Sequence, residues 1–186
     1  MIMNLLTVSI IGLFLCNGLL GHEGQFKFAK FAEEQEFQGL KIPKDIKLQH
    51  GWIKANSQVS LEDDHKIFYY LSQHRDNNPS KVPVIFWITG GPGFMAGGIM
   101  LGMNGPFRAH ENKFEENKNG WHKFSNLCVI EFPSNVGFSD IEKKSFSTNP
   151  KKWFPHLNLF FNGFFEKHPE LSKNDIYLSG DSISGE

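Results

Sequence analysis

The chain of 186 residues carries 19 Lys and Arg against 20 Asp and Glu, which gives a formal net charge of -1 and a pI near 6.7. Hydrophobic residues make up 40% of the sequence and charged residues 21%, the profile of one globular domain with a sizeable core. This balance argues against a nucleic-acid-binding protein and gives no electrostatic reason to expect an anionic membrane as the partner.

Residues 1–21 have the pattern of a signal peptide. An apolar run from Leu5 to Leu15 precedes small and polar residues, and charge returns only at Glu23. The run is shorter than the roughly 20 residues that span a bilayer, and cleavage after Gly18 or Gly21 fits the small-residue preference. Because the first residues include no Lys or Arg, a signal anchor or a buried apolar strand is the alternative. We expect a secretory-pathway protein without a membrane anchor in its mature form.

Cysteine usage lends no support to an oxidising compartment. Only Cys128 remains after residues 1–21 are removed, so no internal disulfide is possible within 22–186. Cys128 lies inside an apolar run, where we expect a buried small hydrophobic residue rather than a reactive thiol.

The first half of this region predicts a hairpin followed by a central strand. Two β-prone segments, 50–56 and 66–73, flank an acidic turn at 62–64 and predict antiparallel pairing. The nearly continuous apolar run 82–88 is typical of a strand buried on both faces of a sheet. Pro83 lies near its start, where a missing N–H costs least.

The second half predicts two more strands and a helix. The apolar runs 127–130 and 176–178 indicate parallel neighbours in one sheet. Between them, helical spacing of apolar residues predicts a helix over 153–165, opened by a cap and a proline at 149–150. Residues 111–119, rich in Lys and Glu, are interpreted as a solvated surface loop. Such a crossover between parallel strands indicates an α/β sheet.

A candidate nucleophile follows the last predicted strand, in the sequence Gly-Asp-Ser-Ile-Ser-Gly at 180–185. A serine on a sharp strand-to-helix turn needs small residues two positions before and after it. Gly180 and Ser184 meet that need around Ser182. The pattern alone is weak evidence for a nucleophile, because a tight turn with an ordinary surface serine can have the same sequence.

A glycine-rich loop, Thr-Gly-Gly-Pro-Gly at 89–93, follows the first buried strand. At the carboxyl end of a strand it can bring a backbone N–H against a developing oxyanion. Gly91 is the candidate donor, together with the N–H of Ile183. A permissive turn is the alternative; a phosphate-binding loop fails because no Gly-Lys-Ser/Thr follows. The two motifs, in this order on successive strands, are far more specific than either alone.

Over most of 22–186 the chain resembles the N-terminal part of the serine carboxypeptidases. The resemblance implies an α/β-hydrolase fold with a mixed, mostly parallel sheet. It also implies a serine-type carboxypeptidase that acts on a peptide or protein C-terminus in lysosomes, vacuoles or outside the cell. Ser182 is then acylated and activated by a histidine that an acidic residue orients. The matching segments are 51–53, 68–70, 83–93, 104–107, 131–139, 161–169 and 175–185.

The same resemblance implies that Thr89, Gly90 and Asp181 take positions that bind the terminal carboxylate of the substrate. This chain departs from the family there, since Thr89 replaces an Asn, Met103 replaces a Glu and Asp181 replaces a longer Glu. Paired carboxyls share a proton at low pH, and Met103 cannot take part. We expect weaker recognition of a free C-terminus.

The acid and the histidine of such hydrolases follow the serine in sequence, and only Glu186 follows residue 185. The sheet is therefore expected to lack its C-terminal strands, helices and cap, and this chain alone to be inactive and poorly soluble. No cofactor or metal site is expected from the histidine spacing. We interpret seven histidines as loop, strand-edge or helix-surface residues: His50, His65, His74, His110, His122, His156 and His168.

Two other functions remain open. One is a catalytically dead relative that binds or protects another protein, which Thr89 and Met103 motivate. The other is an acyltransferase on the same scaffold, in which an alcohol replaces water at the acyl-enzyme. The sequence is silent on oligomeric state.

Overall fold

The computed structural model describes residues 45–54, 65–74, 76–91, 94–110, 113–134, 136–141, 151 and 153–185. The predicted signal peptide, the predicted turn at 62–64 and the predicted helix cap at 149–150 lie outside these ranges. The helices are α1 (Gly97–Gly102) and α2 (Phe154–Lys167). The strands are β1 (Ile46–Lys54), β2 (His65–His74), β3 (Val84–Ile88), β4 (Phe107–His110), β5 (Lys113–Glu116), β6 (Asn126–Glu131), β7 (Asp140–Ile141) and β8 (Ile176–Gly180).

One mixed sheet runs in the order β1-β2-β6-β3-β8, and β7 pairs with β2. β1 and β2 form the predicted antiparallel hairpin, and β2 is also antiparallel to β6. β6, β3 and β8 are parallel. The prediction of an α/β-hydrolase-type mixed sheet is confirmed.

The predicted direct pairing of β6 with β8 is wrong, because β3 lies between them. Val84 and Phe86 of β3 are fully buried on one face, and Ile85 and Trp87 are buried on the other. A strand that is apolar on both faces is most stable where strands flank it and other elements cover it. β3 therefore takes the inner position.

Helix α2 covers one face of this sheet. Phe160 and Phe164, one turn apart, are fully buried. Their rings meet those of Tyr69 and Phe86 edge to face, with the Phe164 centroid 5.3 Å from Tyr69 and 5.0 Å from Phe86. Each buried aromatic side chain contributes roughly 1.5–3 kcal/mol. This packing fixes α2 across the parallel strands.

The start of α2 differs from the prediction. The helix begins at Phe154 rather than near residue 150, with Pro155 in its first turn. A proline is tolerated there because its fixed φ suits the helix and its missing N–H would have had no intrahelical partner. The spacing of apolar residues correctly predicted the helix, but the prediction placed Pro150 at its start where the structure has Pro155.

The opposite face of the sheet is covered by α1 and the segment around Trp121. Ile99 and Met100 of α1 pack against β3 and β6, and Trp121 meets Trp87 edge to face at 5.3 Å between centroids. Cys128 is fully buried in the core beneath α2, as predicted, and burial raises the pKa of its thiol well above the ordinary value. It is a packing residue.

The predicted surface loop at 111–119 is wrong in part. Residues Lys113–Glu116 form β5, which pairs with β4, while Glu115 stays exposed. Asn117 is buried, and its side-chain amide donates hydrogen bonds to the carbonyls of Met103 (2.7 Å) and Gly105 (2.9 Å). The charged composition therefore concealed a strand whose backbone is paired with β4, while Glu116 forms an ion pair with Lys123 at 2.7 Å.

Two histidines predicted at the surface are buried. His122 is fully buried without a hydrogen-bond partner among the described residues, and burial lowers its pKa to about 4. His168 hydrogen-bonds the Tyr69 hydroxyl through Nε2 at 2.8 Å, and burial lowers its pKa. Both imidazoles are parts of the packed interior.

Strand β8 has one paired edge in the described part of the chain, formed with β3. Ile176, Tyr177 and Leu178 are 49%, 56% and 62% exposed. Since successive side chains alternate between faces, the start of β8 is open on both.

Candidate active site

The loops that follow β3 and β8 meet at one edge of the sheet. The two strands are parallel, and Ile88 pairs with Gly180 at their ends. The segment starting at Thr89 and the turn starting at Asp181 therefore lie side by side, at the carboxyl ends of parallel strands where α/β proteins bind ligands. The two sequence motifs are brought together.

Ser182 occupies a strained turn. Its φ is 54°, and among the described residues it is the one non-glycine residue with positive φ. This left-handed conformation costs an L residue roughly 1–3 kcal/mol. A Cβ at Gly180 would overlap the carbonyl of Ser184, so the turn requires glycine there. The exposed Ser182 side chain thus stands on a sharp turn between β8 and the short 3-10 helix Ser182–Gly185.

Gly90 lies directly against this turn. Its N–H donates a hydrogen bond to Oδ1 of Asp181 at 3.0 Å. A Cβ at Gly90 would stand 2.7 Å from both the Asp181 carbonyl oxygen and the Ser182 Cβ. Any side chain at this position would push the loop away from the serine.

A second contact joins the same two segments. The Ser184 hydroxyl donates to the carbonyl of Thr89 at 2.8 Å, a bond that we call the Ser184–Thr89 latch. The Thr89 side chain is turned away from this contact, since its hydroxyl donates to the carbonyl of Phe94 at 2.8 Å. Sequence reasoning treated Ser184 only as a small residue and missed its hydroxyl.

The candidate oxyanion donors flank the serine. Gly91 is exposed with a φ of 129°, a conformation that glycine adopts readily. Ile183 directly follows Ser182 and is half-buried. The elbow geometry therefore puts the Ile183 N–H on the turn itself and Gly91 on the adjoining loop.

Asp181 and Ser182 have few partners beyond these contacts. Both side chains are exposed. Within the described ranges, no Lys, Arg or His lies within ion-pair distance of Asp181, and the Ser182 hydroxyl has no hydrogen-bond partner. The described residues thus supply a candidate nucleophile and its backbone surroundings, and no candidate general base contacts it among them.

Replacing Ser184 by alanine is expected to lower the free energy of unfolding by about 1 kcal/mol. The change removes the latch and leaves the buried Thr89 carbonyl without its donor. Urea unfolding of the intact protein measures the effect. Ser172→Ala is the matched control, because the exposed Ser172 hydroxyl donates only to the nearby carbonyl of Pro169. Equal effects of the two variants would contradict a stabilising latch.

A buried acid that sequence reasoning passed over stands at the same edge of the sheet. Glu131 ends β6, beside β3, and is fully buried. Burial raises its pKa to about 7, although N–H groups of Phe138 and Gly97 donate to it. A Cβ at Gly137 would overlap its carboxylate, and Gly137 has a φ of 57°. The sequence feature that could have identified this buried acid is a glutamate at the end of an apolar run.

Two negative findings concern only the part of the chain that the structure describes. None of its helices is long and apolar enough to cross a membrane. Three or more His, Cys, Asp or Glu side chains nowhere come together there in a way that could hold a metal ion.

Comparison with protein families gives one clear match. A family model described as serine carboxypeptidase matches residues 39–186. A serine carboxypeptidase-like protein of Oryza sativa subsp. japonica is 33% identical over 130 residues, which cover 66% of this chain and 29% of that protein. A pheromone-processing carboxypeptidase KEX1 of Tuber melanosporum is 32% identical over 131 residues, which cover 68% of this chain and 21% of that protein.

The fold has a relative among solved structures. The crystal structure of Kex1(delta)p, a prohormone-processing carboxypeptidase from Saccharomyces cerevisiae, superposes with a TM-score of 0.66 at 26% identity. The match covers 77% of this chain and 32% of that one. The chain therefore spans less than a third of the length of these relatives.

Proposed function

The chain belongs to the serine carboxypeptidase family, and we propose that the protein carrying it is a serine-type carboxypeptidase acting through an acyl-enzyme on Ser182. The observation that carries the proposal is the left-handed turn at Ser182 held against Gly90. Such a turn exposes a hydroxyl beside backbone N–H groups, the arrangement that acyl transfer needs.

In this mechanism Ser182 attacks the carbonyl carbon of the bond before the C-terminal residue. The N–H groups of Gly91 and Ile183 stabilise the oxyanion, and the C-terminal residue leaves as the acyl-enzyme forms. Water then releases the shortened peptide. Because no described histidine contacts Ser182, we propose that residues 1–186 alone do not complete this cycle.

The proposed location is the secretory pathway, with the protein secreted or lysosomal or vacuolar. Support comes from the signal-peptide pattern of residues 1–21 and from relatives whose names refer to pheromone and prohormone processing. The proposed partner is a peptide or protein C-terminus; we propose no nucleic acid or membrane partner for the mature form.

The test uses the intact protein, expressed from its complete coding sequence. A fluorophosphonate probe reacts only with an activated serine, and mass spectrometry of the labelled peptide locates it. We expect a label on Ser182 and, in parallel, release of C-terminal residues from a peptide mixture. A protein that folds cooperatively and takes up no label would contradict the enzyme and favour the binding or protective relative.

A further inference from the structure

We infer that Glu131 is a positioning residue for the chemistry of Ser182, because its buried carboxyl group holds the far end of the loop that carries Gly91. The inference rests on the proposed function of Ser182 and adds a residue to the same site. Its basis is the set of hydrogen bonds that Glu131 makes at the edge of the sheet where Ser182 lies.

Glu131 is firmly placed at this edge. It ends β6, and the preceding Ile130 pairs with Ile88 at the end of β3. Ile88 pairs in turn with Gly180, two residues before Ser182. The side chain of Glu131 is fully buried, on a strand flanked by β2 and β3. The position of its carboxyl group is therefore set by the inner part of the sheet.

The loop from β3 to α1 is fixed at its start by the turn at Ser182. The Ser184–Thr89 latch makes this connection, with 2.8 Å between the hydroxyl and carbonyl oxygens. Further along lies Gly91, the candidate oxyanion donor, with a φ of 129°. Because glycine has no side chain to pack, the direction of its N–H depends on where the two ends of the loop are held.

The other end of the loop is held by Glu131. Gly97 begins α1, and its N–H donates to the Glu131 carboxyl group. The first N–H groups of a helix have no intrahelical partner, and the N-cap residue Ala96 makes no side-chain hydrogen bond to them. A side chain from β6 thus provides the acceptor that the start of α1 needs.

The second contact of the carboxyl group, with Phe138, is supported by other bonds. The N–H of Phe138 donates to Oε2, and the Trp52 side chain donates to the Phe138 carbonyl at 2.9 Å. The Ser139 hydroxyl donates to the carbonyl of Glu131 at 2.5 Å and accepts the N–H of Phe68 at 2.7 Å. Loss of the carboxyl group leaves these three bonds in place, so its effect falls mainly on the loop.

The experiment replaces Glu131 by methionine in the intact protein. Methionine is similar in length, suits a buried site and is only a weak acceptor. We expect the rate of fluorophosphonate labelling of Ser182 and kcat for a peptide to fall at least about tenfold. Displacement of a catalytic group by about 1 Å can cost about a hundredfold, and loss of one oxyanion donor costs about as much.

Glu131→Gln is the test of rescue, because glutamine keeps the length and an acceptor oxygen. At pH 6 the two side chains are also alike in charge, since burial raises the pKa of Glu131 to about 7. We expect labelling of Glu131→Gln within about threefold of wild type. A merely structural role would make both variants slow or both normal.

Gln73→Met is the matched control for loss of a buried polar side chain. Gln73 is buried on β2 and donates to Asn126 at 2.5 Å, at the opposite end of β6 from Glu131. This variant should keep the wild-type labelling rate. Thermal unfolding shows which variants are folded at the assay temperature. If Glu131→Met is not, Glu131→Leu takes its place with the same expected loss.

The outcomes separate this inference from the proposed function. Absence of a label on wild-type Ser182 overturns both. If wild type is labelled and folded Glu131→Met is labelled equally fast, the inference alone is overturned. The same holds if Glu131→Gln is as slow as Glu131→Met, because the acceptor oxygen then has no part in positioning the loop.

Discussion

Replacing Ser182 by alanine is expected to abolish fluorophosphonate labelling of the intact protein and to lower kcat for peptides by at least about a thousandfold. A serine nucleophile acts together with its base, so its loss removes the covalent route altogether. What remains comes from binding and from the oxyanion donors. Steady-state kinetics with a chromogenic peptide measures the loss.

The geometry around Ser182 makes this substitution informative. The hydroxyl is exposed and has no hydrogen-bond partner among the described residues, so its removal should cost little stability. Alanine also tolerates the left-handed turn about as poorly as serine does. Ser184→Ala serves as the control, since it alters the same turn and should still be labelled. If Ser182→Ala retained wild-type turnover, the nucleophile would have to lie elsewhere.

Replacing Glu131 by glutamine is expected to stabilise the intact protein at pH 8 by about 3 kcal/mol and to change its stability little at pH 4.5. The carboxyl has a pKa of about 7 in the folded protein, above the ordinary 4.5. Glutamine stays neutral at every pH. The variant therefore avoids the cost of a buried charge at high pH.

The direction of this pH dependence follows from the number of protons that the folded and unfolded states bind at Glu131. Between pH 4.5 and about 7 the folded state holds a proton on Glu131 that the unfolded state has released. The contribution of Glu131 to stability is thus fully present below pH 4.5 and is lost as the pH rises through 7. His122 acts in the opposite sense, because its pKa is lowered to about 4 and stability falls as the pH drops from 6.5. Wild type and Glu131→Gln both contain His122, so the difference between their free energies of unfolding reports on Glu131.

The surroundings of Glu131 contain no compensating cation among the described residues. Tyr70 of β2 faces it and stays neutral, since burial raises its pKa. Phe138 and Gly97 contribute only backbone N–H groups, and Oε1 has no hydrogen-bond partner. The amide nitrogen of glutamine can take the place of Oε1.

Urea unfolding of wild type and Glu131→Gln at pH 4.5, 6 and 8 measures the expected divergence. Glu115→Gln is the control, because Glu115 is exposed and should give parallel curves. A Glu131→Gln protein with the same pH dependence as wild type would show that Glu131 titrates normally.

The sheet and the sharp turn at Ser182 could be predicted from local patterns. β3 was visible as an unbroken apolar run, and the small residues around Ser182 are required by local sterics at the turn. These features depend on near neighbours in sequence. The pairing of β3 between β6 and β8 depends on the whole sheet, which is why the predicted neighbours were wrong.

The remaining features depend on contacts between distant segments. α1 (Gly97–Gly102) contains Gly98 in its interior, where glycine disfavours a helix by about 1 kcal/mol, and burial of Ile99 and Met100 stabilises it. The bond from Gly90 to Asp181 joins residues 91 positions apart. No local pattern specifies such a contact.

The exposed start of β8 has a consequence for how the protein is made in the cell. In a relative about two and a half times as long as this chain, translation at roughly 5–20 residues per second leaves such a strand exposed for tens of seconds before synthesis is complete. Ile176, Tyr177 and Leu178 would then present an apolar, half-paired edge to other nascent chains. This tripeptide is accordingly an expected binding segment for a chaperone that recognises extended apolar chain.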